Sequence, residues 1–337
     1  MSQSSEPFLD EFVVAETEAG ERLDQRIASR FQGVSRTRVQ ELIAAGLVLV
    51  NARPAKGSHR LRGGEHVTVE VRPRPPLRAE AESIALDVLY EDEDVLAVNK
   101  PSGMTVHAGA GNSSGTLVNA LLGRGQGLSQ GGDALRPGIV HRLDKGTSGI
   151  ILVAKNDSAH AKLSESFRQR KVQKTYLALL QGHLKEENGR IELAIMRDPR
   201  NRTRMTARRS IVLGKAREAR TDWRTLARID GTTLVEVQLH TGRTHQIRVH
   251  FSALRHPVVG DTLYGAAPQL QVGKRTLPSP NRSFLHAAKL GFTQPRTGTW
   301  TKLQAPLPQD LREFLHQLAD AAGESPSRID AALAPYL

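Results

Sequence analysis

The chain has 337 residues, a formal net charge of +12 at pH 7 and a pI near 10.3. This length allows about two domains. The positive charge favours a polyanionic partner, with nucleic acid as the leading class and an acidic membrane surface as the rival. The absence of cysteine excludes disulfides, thiolate chemistry and Cys-ligated zinc. No apolar run approaches the roughly 20 residues of a membrane-spanning helix, and the N-terminus does not resemble a secretory signal. We therefore expect a cytoplasmic protein with no membrane partner.

A small α/β module is predicted at 20–72, after an N-terminal arm at 1–19. Leu23 and Ile27 recur at the spacing of one helix face, and a second short helix should end at Gly46. Alternating valines after it predict strands, with turns between them. The module is therefore expected to contain two helices followed by a small sheet.

This module is rich in basic residues, with ten Lys or Arg against five Asp or Glu across residues 21–72. Any one of these cations alone is best explained as a solvated surface charge, but the set predicts an RNA-binding surface. The order of two short helices and a sheet also resembles the alpha-L RNA-binding module named after a small-subunit ribosomal protein. The residues assigned to the RNA-binding surface are Arg22, Arg36, Arg38, Arg53 and Lys56.

The rest of the chain predicts one larger domain at 83–320, joined by a stiff Pro- and Arg-rich linker at 73–82 and followed by a loose tail at 321–337. Short strand candidates such as Val95–Val98 and Ile150–Val153 do not alternate regularly with helices. That order favours a mixed, mainly antiparallel sheet over a doubly wound one. The predicted fold class is α+β.

Asp144 lies in a glycine-bounded loop just before an apolar strand, between Arg142 and Lys145. Glycine permits positive φ and the close approach of another backbone, and the neighbouring cations favour the ionised carboxylate. The pattern predicts a carboxylate presented to an electron-poor group. The alternative is a turn aspartate that accepts only local backbone hydrogen bonds.

Two further clusters carry candidate functional residues. Arg248 lies at the margin of the apolar face of a predicted helix, where it needs an anion such as an active-site carboxylate, unless it simply extends to solvent. Lys174 and Tyr176 share one face of a predicted strand by the period of two. A tyrosine in that place could equally serve packing alone.

Six motifs of the larger domain follow one another in the order Asn99-Lys100-Pro101, His141-Arg142-Leu143-Asp144, Lys174-Thr175-Tyr176, Thr241 to His250, His256 to Asp261 and Leu285-His286-Ala287. Taken in this order, they resemble the RluA/RluD family of RNA pseudouridine synthases. The resemblance covers about residues 84–315, and larger members of that family also carry an alpha-L module in front. It implies isomerisation of uridine to pseudouridine in structured RNA, with large-subunit ribosomal RNA as the first expectation and transfer RNA as the alternative.

The resemblance also implies roles for single residues. Asp144 would be the essential carboxylate, Tyr176 would lie against the target uracil, and Arg248 would pair with Asp144. Arg142 would fill the space that a flipped nucleotide vacates. Substrate binding is further assigned to His141, Lys174, Gln246 and Lys100. No cofactor and no metal are expected.

The reaction detaches uracil from the anomeric carbon of the ribose, rotates it and rejoins it through carbon 5. Asp144 could form a covalent bond with the sugar or stabilise an oxocarbenium or glycal intermediate. Tyr176 could accept the proton from carbon 5 or position the group that does. Because a uridine within RNA structure cannot be reached in place, base flipping is expected. No second carboxylate of the kind that glycosidases use to activate water is evident beside the loop, which favours isomerisation over hydrolysis.

Two other classes of protein fit the sequence less well. A metal-dependent hydrolase would need histidines at helical i, i+4 spacing, which His245 and His250 do not have. A catalytically silent ribosome-associated RNA-binding protein would have no need of Asp144. The glycine-rich segment Gly123–Asp133 is either a mobile flap or a plain surface loop. A monomer is the simplest expectation.

Overall fold

The computed structural model describes most of the chain in two compact units, residues 1–77 and 78–337. The predicted linker at 73–82 lies largely outside the described residues, as do parts of Gly123–Asp133. The described residues are 8–31, 36–71, 80–108, 114–125, 127–129, 136–209 and 216–336, and of Phe8, Thr37 and Arg38 only the backbone is described.

The first unit consists of an antiparallel sheet and two helices. Its elements are β1 (Phe8–Val13), α1 (Leu23–Arg30), α2 (Arg36–Ala44), β2 (Val48–Val50), β3 (Arg53–Pro54) and β4 (His66–Val71). The strand order is β1-β4-β2-β3. Leu23 and Ile27 on α1 pack with Val39 and Leu42 on α2 against the valines of the sheet, so the inward faces follow from helical spacing.

β1 pairs with β4 along its whole length, from Phe8 opposite Val71 to Val13 opposite His66. The expectation of a separate N-terminal arm is therefore wrong for residues 8–13. The strand is stabilised by ladder hydrogen bonds and by burial of Phe12, although Leu9 and Val13 stay exposed.

The second unit contains the larger sheet. Its strands are β5 (Asp87–Glu91), β6 (Val95–Lys100), β7 (Ser148–Ala154), β8 (Gln173–Gln181), β9 (Asn188–Ile191), β10 (Ala194–Arg197), β11 (Met205–Arg208), β12 (Thr221–Ile229), β13 (Thr232–Leu239), β14 (Gln269–Val272), β15 (Arg275–Pro278), β16 (Leu285–Thr293) and β17 (Trp300–Gln304). Its helices are α3 (Leu117–Gly123), α4 (Asp157–Arg168), α5 (Gln246–Ala253), α6 (Gln309–Ala321) and α7 (Pro326–Leu333).

Nine strands form one sheet in the order β5-β6-β7-β16-β8-β13-β12-β9, with β17 also paired to β16. Among the described residues, β7 and β16 are its parallel pair, and the other pairs are antiparallel. This confirms the predicted mixed, mainly antiparallel sheet and the α+β class. β7 is buried along its full length, which explains why its sequence is a continuous apolar run instead of an alternating one.

The C-terminal residues fold as well. α6 buries Leu311 and Leu315, as its spacing predicts, and α7 follows it with Ile329 and Leu333 fully buried at i and i+4. Tyr336 is also buried. The expectation of a loose tail at 321–337 is therefore wrong for 326–336. No helix in the described part of the chain has the length and apolar character needed to cross a membrane.

Candidate active site

The loop that carries Asp144 is held against the centre of the sheet by Gly149. Gly149 has φ +111°, and a Cβ atom there would lie 2.2 Å from the carbonyl oxygen of Ala287. Only glycine allows β7 and β16 to approach this closely. Ala287 is also opposite Tyr176 of β8, so the same point of β16 brings the Asp144 loop next to Tyr176.

Lys100 fixes the other side of the loop. Its side chain is fully buried, and Nζ donates to the carbonyl oxygens of Pro101 and Met104 at 2.7 and 2.9 Å and to that of Lys145 at 3.4 Å. Burial lowers the pKa of Lys100 to about 8. Its donors hold the backbone next to Asp144, and Lys100 lines neither cavity described below, so binding of substrate by Lys100 stays a prediction.

Arg282 anchors the end of the loop. Its Nη1 donates to Ser148 Oγ at 3.0 Å, while Nε and Nη2 donate to both carboxylate oxygens of Asp310 at 2.7 and 2.8 Å. Ser148 also shares a hydrogen bond of 3.0 Å with Nδ1 of His286, whose pKa burial lowers to about 4. The loop is thereby tied to β16 and to the start of α6.

Arg248, on α5, lies between two carboxylates. Its Nη1 donates to Asp144 Oδ2 at 3.1 Å, while Nε and Nη2 donate to the two oxygens of Asp261 at 2.5 and 2.8 Å. The exposed fractions of the three side chains are 12% for Arg248, 19% for Asp144 and 2% for Asp261. The buried, bidentate pair with Asp261 fixes the guanidinium and points Nη1 at Asp144.

An aromatic wall completes this cluster. The guanidinium carbon of Arg248 lies 5.0 Å from the ring centroid of Tyr264, whose hydroxyl contacts Nδ1 of His245 at 2.8 Å and accepts from the backbone N–H of Met205 at 2.9 Å. Nε2 of His245 is 3.9 Å from Asp144 Oδ1, beyond hydrogen-bond distance. Burial lowers the pKa of His245, which favours a neutral ring.

Asp144 opens into two cavities. The smaller cavity has a volume of about 470 Å³ and is lined by Tyr176, Lys174 and Arg243. The larger cavity has a volume of about 740 Å³ and is lined by Ser102, Thr262 and Arg282. Asp144, Arg142 and Arg248 line both cavities. The larger one also includes Asp261. The carboxylate is thus partly sheltered but reachable by a bulky ligand.

Tyr176 is buried in β8 and lines the smaller cavity. Burial, and then the nearby charge of Asp144, raise the pKa of its hydroxyl well above the ordinary value. A phenolate is therefore disfavoured at neutral pH, which favours a positioning role for Tyr176 over a role as an ionised base.

Four other predicted residues line the smaller cavity but differ in what they offer it: Arg142, His141, Lys174 and Gln246. Gln246 is buried and its amide is occupied: Oε1 accepts from Thr241 Oγ1 at 2.7 Å, and Nε2 donates to the carbonyl of Arg220 at 3.0 Å. These bonds shape the turn before α5, and binding of substrate by Gln246 stays a prediction. Arg142 is exposed.

His141 is held as a neutral ring. Its Nε2 accepts the backbone N–H of Leu152 at 2.8 Å, and the ring stacks on Phe167 at 4.5 Å between centroids. Burial, and then the charge of Lys174, lower the pKa of His141 to about 3. The proton therefore resides on Nδ1, which is the nitrogen left to meet a ligand.

In the first unit, the predicted RNA-binding residues fall into two groups. Arg22 and Arg36 both donate to Asp24, which is fully buried, so their guanidinium groups are partly committed to the fold. Arg53 and Lys56 are exposed and line a shallow cavity. The side chain of Arg38 lies outside the described residues.

Sequence reasoning missed Asp261, Tyr264 and His245 as members of the site. Asp261 ends a recognised motif, and His245 lies inside another, but nothing in the sequence assigned them a partner. Within the described part of the chain, no group of three or more His, Asp or Glu is placed to hold a metal ion.

The sequence matches family models for RNA pseudouridylate synthase at residues 94–253 and for the S4 domain at residues 21–67. The ribosomal large subunit pseudouridine synthase D of Xanthomonas campestris is 42% identical, covering 94% of this chain and 96% of that protein. An RNA pseudouridine synthase of Bacillus subtilis is 41% identical, covering 91% and 97%.

The chain belongs to the RNA pseudouridine synthase family. The solved structure of human RNA pseudouridylate synthase domain containing 1 supports this, with a TM-score of 0.55 and 32% identity over 72% of this chain and 89% of that one. The resemblance to the RluA/RluD family is thereby confirmed, as is the RNA-binding module, which is an S4 domain. The protein is an RNA pseudouridine synthase, and its substrate is RNA.

Proposed function

We propose that this pseudouridine synthase isomerises a uridine of large-subunit ribosomal RNA, with Asp144 as its essential carboxylate. The observation that carries the proposal is the contact between Arg248 Nη1 and Asp144 Oδ2, which joins two motifs 104 residues apart at the mouth of two cavities. The relative from Xanthomonas campestris, named a ribosomal large subunit pseudouridine synthase, supports the choice of RNA.

Asp144 has one oxygen engaged and one available. Oδ2 accepts from Arg248, while Oδ1 has only His245 within 4 Å among the ion pairs of the described residues. The free oxygen can attack or stabilise the anomeric carbon as its bond to uracil N1 breaks. The base then rejoins through carbon 5, and where Asp144 has bonded to the anomeric carbon this step breaks that bond and returns the free carboxylate. The proton on carbon 5 is lost and N1 gains one, so the reaction is balanced without a cofactor.

Tyr176 and Arg142 are proposed to handle the base and the space it leaves. Tyr176 presents a neutral phenol from the cavity wall, where it can hold the detached uracil while it rotates. Arg142 is exposed at the opening common to both cavities, where it can replace the extracted nucleotide in the RNA stack. Extraction costs a few kcal/mol of stacking and pairing, which basic contacts from both units can offset.

The experiment is tritium release from large-subunit ribosomal RNA labelled at uracil carbon 5. The Asp144→Asn variant should release no tritium above background while its RNA affinity stays within a few fold of the wild type. Retained release would reject the role of Asp144. Mapping pseudouridines in total RNA from cells with and without the protein tests the target. Loss of a pseudouridine from transfer RNA, with those of large-subunit ribosomal RNA unchanged, would assign the alternative substrate.

A further inference from the structure

One wall of the smaller cavity is unusually cationic. Lys174 on β8, Arg170 just after α4 and Arg243 in the turn before α5 all line it. The backbone of Arg170 has a φ of +59°. Gly242 lies beside Lys174, and a Cβ atom added to Gly242 would be 3.9 Å from Lys174 Nζ. Three separate elements therefore bring their positive charges to one place.

These cations have little negative charge to balance them. Among the described residues, Lys174 has no carboxylate within 4 Å. Glu218 is the one acid paired with the group, at 3.5 Å from Arg170, and both of those side chains are at least half exposed. Arg243 reaches only the backbone carbonyl of Glu218, at 3.0 Å. The neighbouring His141 adds no negative charge, since its ring is neutral.

Keeping these charges together costs the folded protein stability. Burial, and then repulsion from Arg243 and Arg170, lowers the pKa of Lys174 to about 8. Burial also lowers the pKa of Arg243, with Arg217 and Arg170 as the next causes. A buried cation without a counter-ion is unfavourable unless an anionic ligand compensates for it.

The position of this wall indicates which anion would bind. Lys174 and Tyr176 are two residues apart on one strand and both line the cavity, so their Cα atoms are about 6.6 Å apart along the strand. That spacing is comparable with the distance from the base of a nucleotide to its own phosphate. An anion at Lys174 can therefore belong to the same nucleotide whose base lies at Tyr176.

We propose that Lys174, Arg170 and Arg243 form a phosphate subsite, which holds a phosphodiester of the flipped uridine while its sugar meets Asp144. This inference rests on the proposed function for the placement of the uridine. The phosphate would fix the ribose at a set distance from the carboxylate, so that the sugar stays in place when the base is free. The subsite would thus contribute to the positioning of the anomeric carbon as well as to affinity.

The first test uses the full-length protein and inorganic phosphate, and it does not require turnover. Lysine side chains are labelled with carbon-13 at Cε, and the Lys174 resonance is assigned with Lys174→Arg. Phosphate, titrated at constant ionic strength against chloride, should raise the pKa of Lys174 from about 8 towards its ordinary value. Lys171 is the matched control: it is exposed, lies three residues earlier and should not respond. Equal responses of both lysines would mean general ionic effects only and would overturn the subsite.

The second test uses tritium release. Lys174→Met should lower kcat/KM by about 10- to 100-fold, the range expected for losing a charge-assisted contact. Lys174→Arg should restore part of it, and Lys171→Met should resemble the wild type. Inorganic phosphate should compete with RNA in the wild type but not in Lys174→Met. Competition that persists in Lys174→Met would also overturn the subsite, whereas absent tritium release in the wild type would refute only the proposed function.

Discussion

Asp261 gives the sharpest prediction about the active site, because it acts only through Arg248. Both of its oxygens accept from Arg248, at 2.5 and 2.8 Å, and its side chain is only 2% exposed. In Asp261→Asn, one acceptor becomes an N–H group that faces the guanidinium. The guanidinium should then turn to form a two-bond pair with Asp144, which occupies the oxygen that the reaction needs.

The expected effect is larger on catalysis than on stability. Arg248 keeps Asp144 as a partner, so the cost to the free energy of unfolding should be about 1.5–3 kcal/mol, the value of a hydrogen bond to a charged group. A misplacement of about 1 Å in a reacting group can lower kcat about 100-fold. Because both oxygens of Asp261 already accept from Arg248 and its side chain is almost fully buried, KM should change by no more than a few fold.

The assay is single-turnover tritium release, with the midpoint of urea unfolding measured for each variant. Asp222→Asn is the matched control: Asp222 accepts from Arg190, Arg220 and His240 but lines neither cavity of the active site. It should lose comparable stability and retain its kcat. If kcat of Asp261→Asn stays within threefold of that control, the orienting role of Asp261 is refuted.

Three further predictions concern the loop, the cationic wall and the first unit. Gly149→Ala should lower the free energy of unfolding by about 3 kcal/mol or more through strain and overlap with Ala287, whereas Gly146→Ala, with open space around it, should have little effect in the same urea titration. Burial, with Arg243 and Arg170, lowers the pKa of Lys174 from 10.5 to about 8, so the folded state binds this proton less tightly than the unfolded state. Lys174→Met should therefore raise the free energy of unfolding below pH 8 by up to about 3 kcal/mol, and this gain should shrink as the pH rises from 8 to 10.5; a pH-independent difference would contradict the assignment. Replacing Arg53 and Lys56 together by glutamine should reduce the slope of log K against log salt for RNA binding by about 1.5, and an unchanged slope would exclude them from the interface.

The parts of the structure that follow from local pattern could be predicted from the sequence. Helical spacing identified the buried faces of α1 and α6, and the absence of regular alternation between strands and helices identified the type of sheet. The pairing of Arg248 with Asp144, implied by the family motifs, is present at 3.1 Å. These features follow either from the periodicity of apolar residues or from motifs whose resemblance to a family already implies which residues pair.

Other features of the site depend on contacts between distant residues and could not be predicted from the sequence. Lys100 and Gln246 have the polarity of ligand-binding residues, and only the folded chain shows that their hydrogen bonds are used internally. Conversely, Asp261 becomes important because α5 places Arg248 in front of it. No local pattern distinguishes a polar side chain that faces a ligand from one that holds a neighbouring loop.

The pairing of Asp261 also bears on why the site would isomerise uridine instead of hydrolysing it. A glycosidase generally needs a second carboxylate free to activate water. This site does contain a second carboxylate near Asp144, which the sequence did not reveal, but Arg248 occupies both of its oxygens. Removing a proton from water would require breaking that buried pair. Asp144 is thus the carboxylate of this pair that keeps an oxygen free of Arg248, and this asymmetry favours return of the base over attack by an activated water.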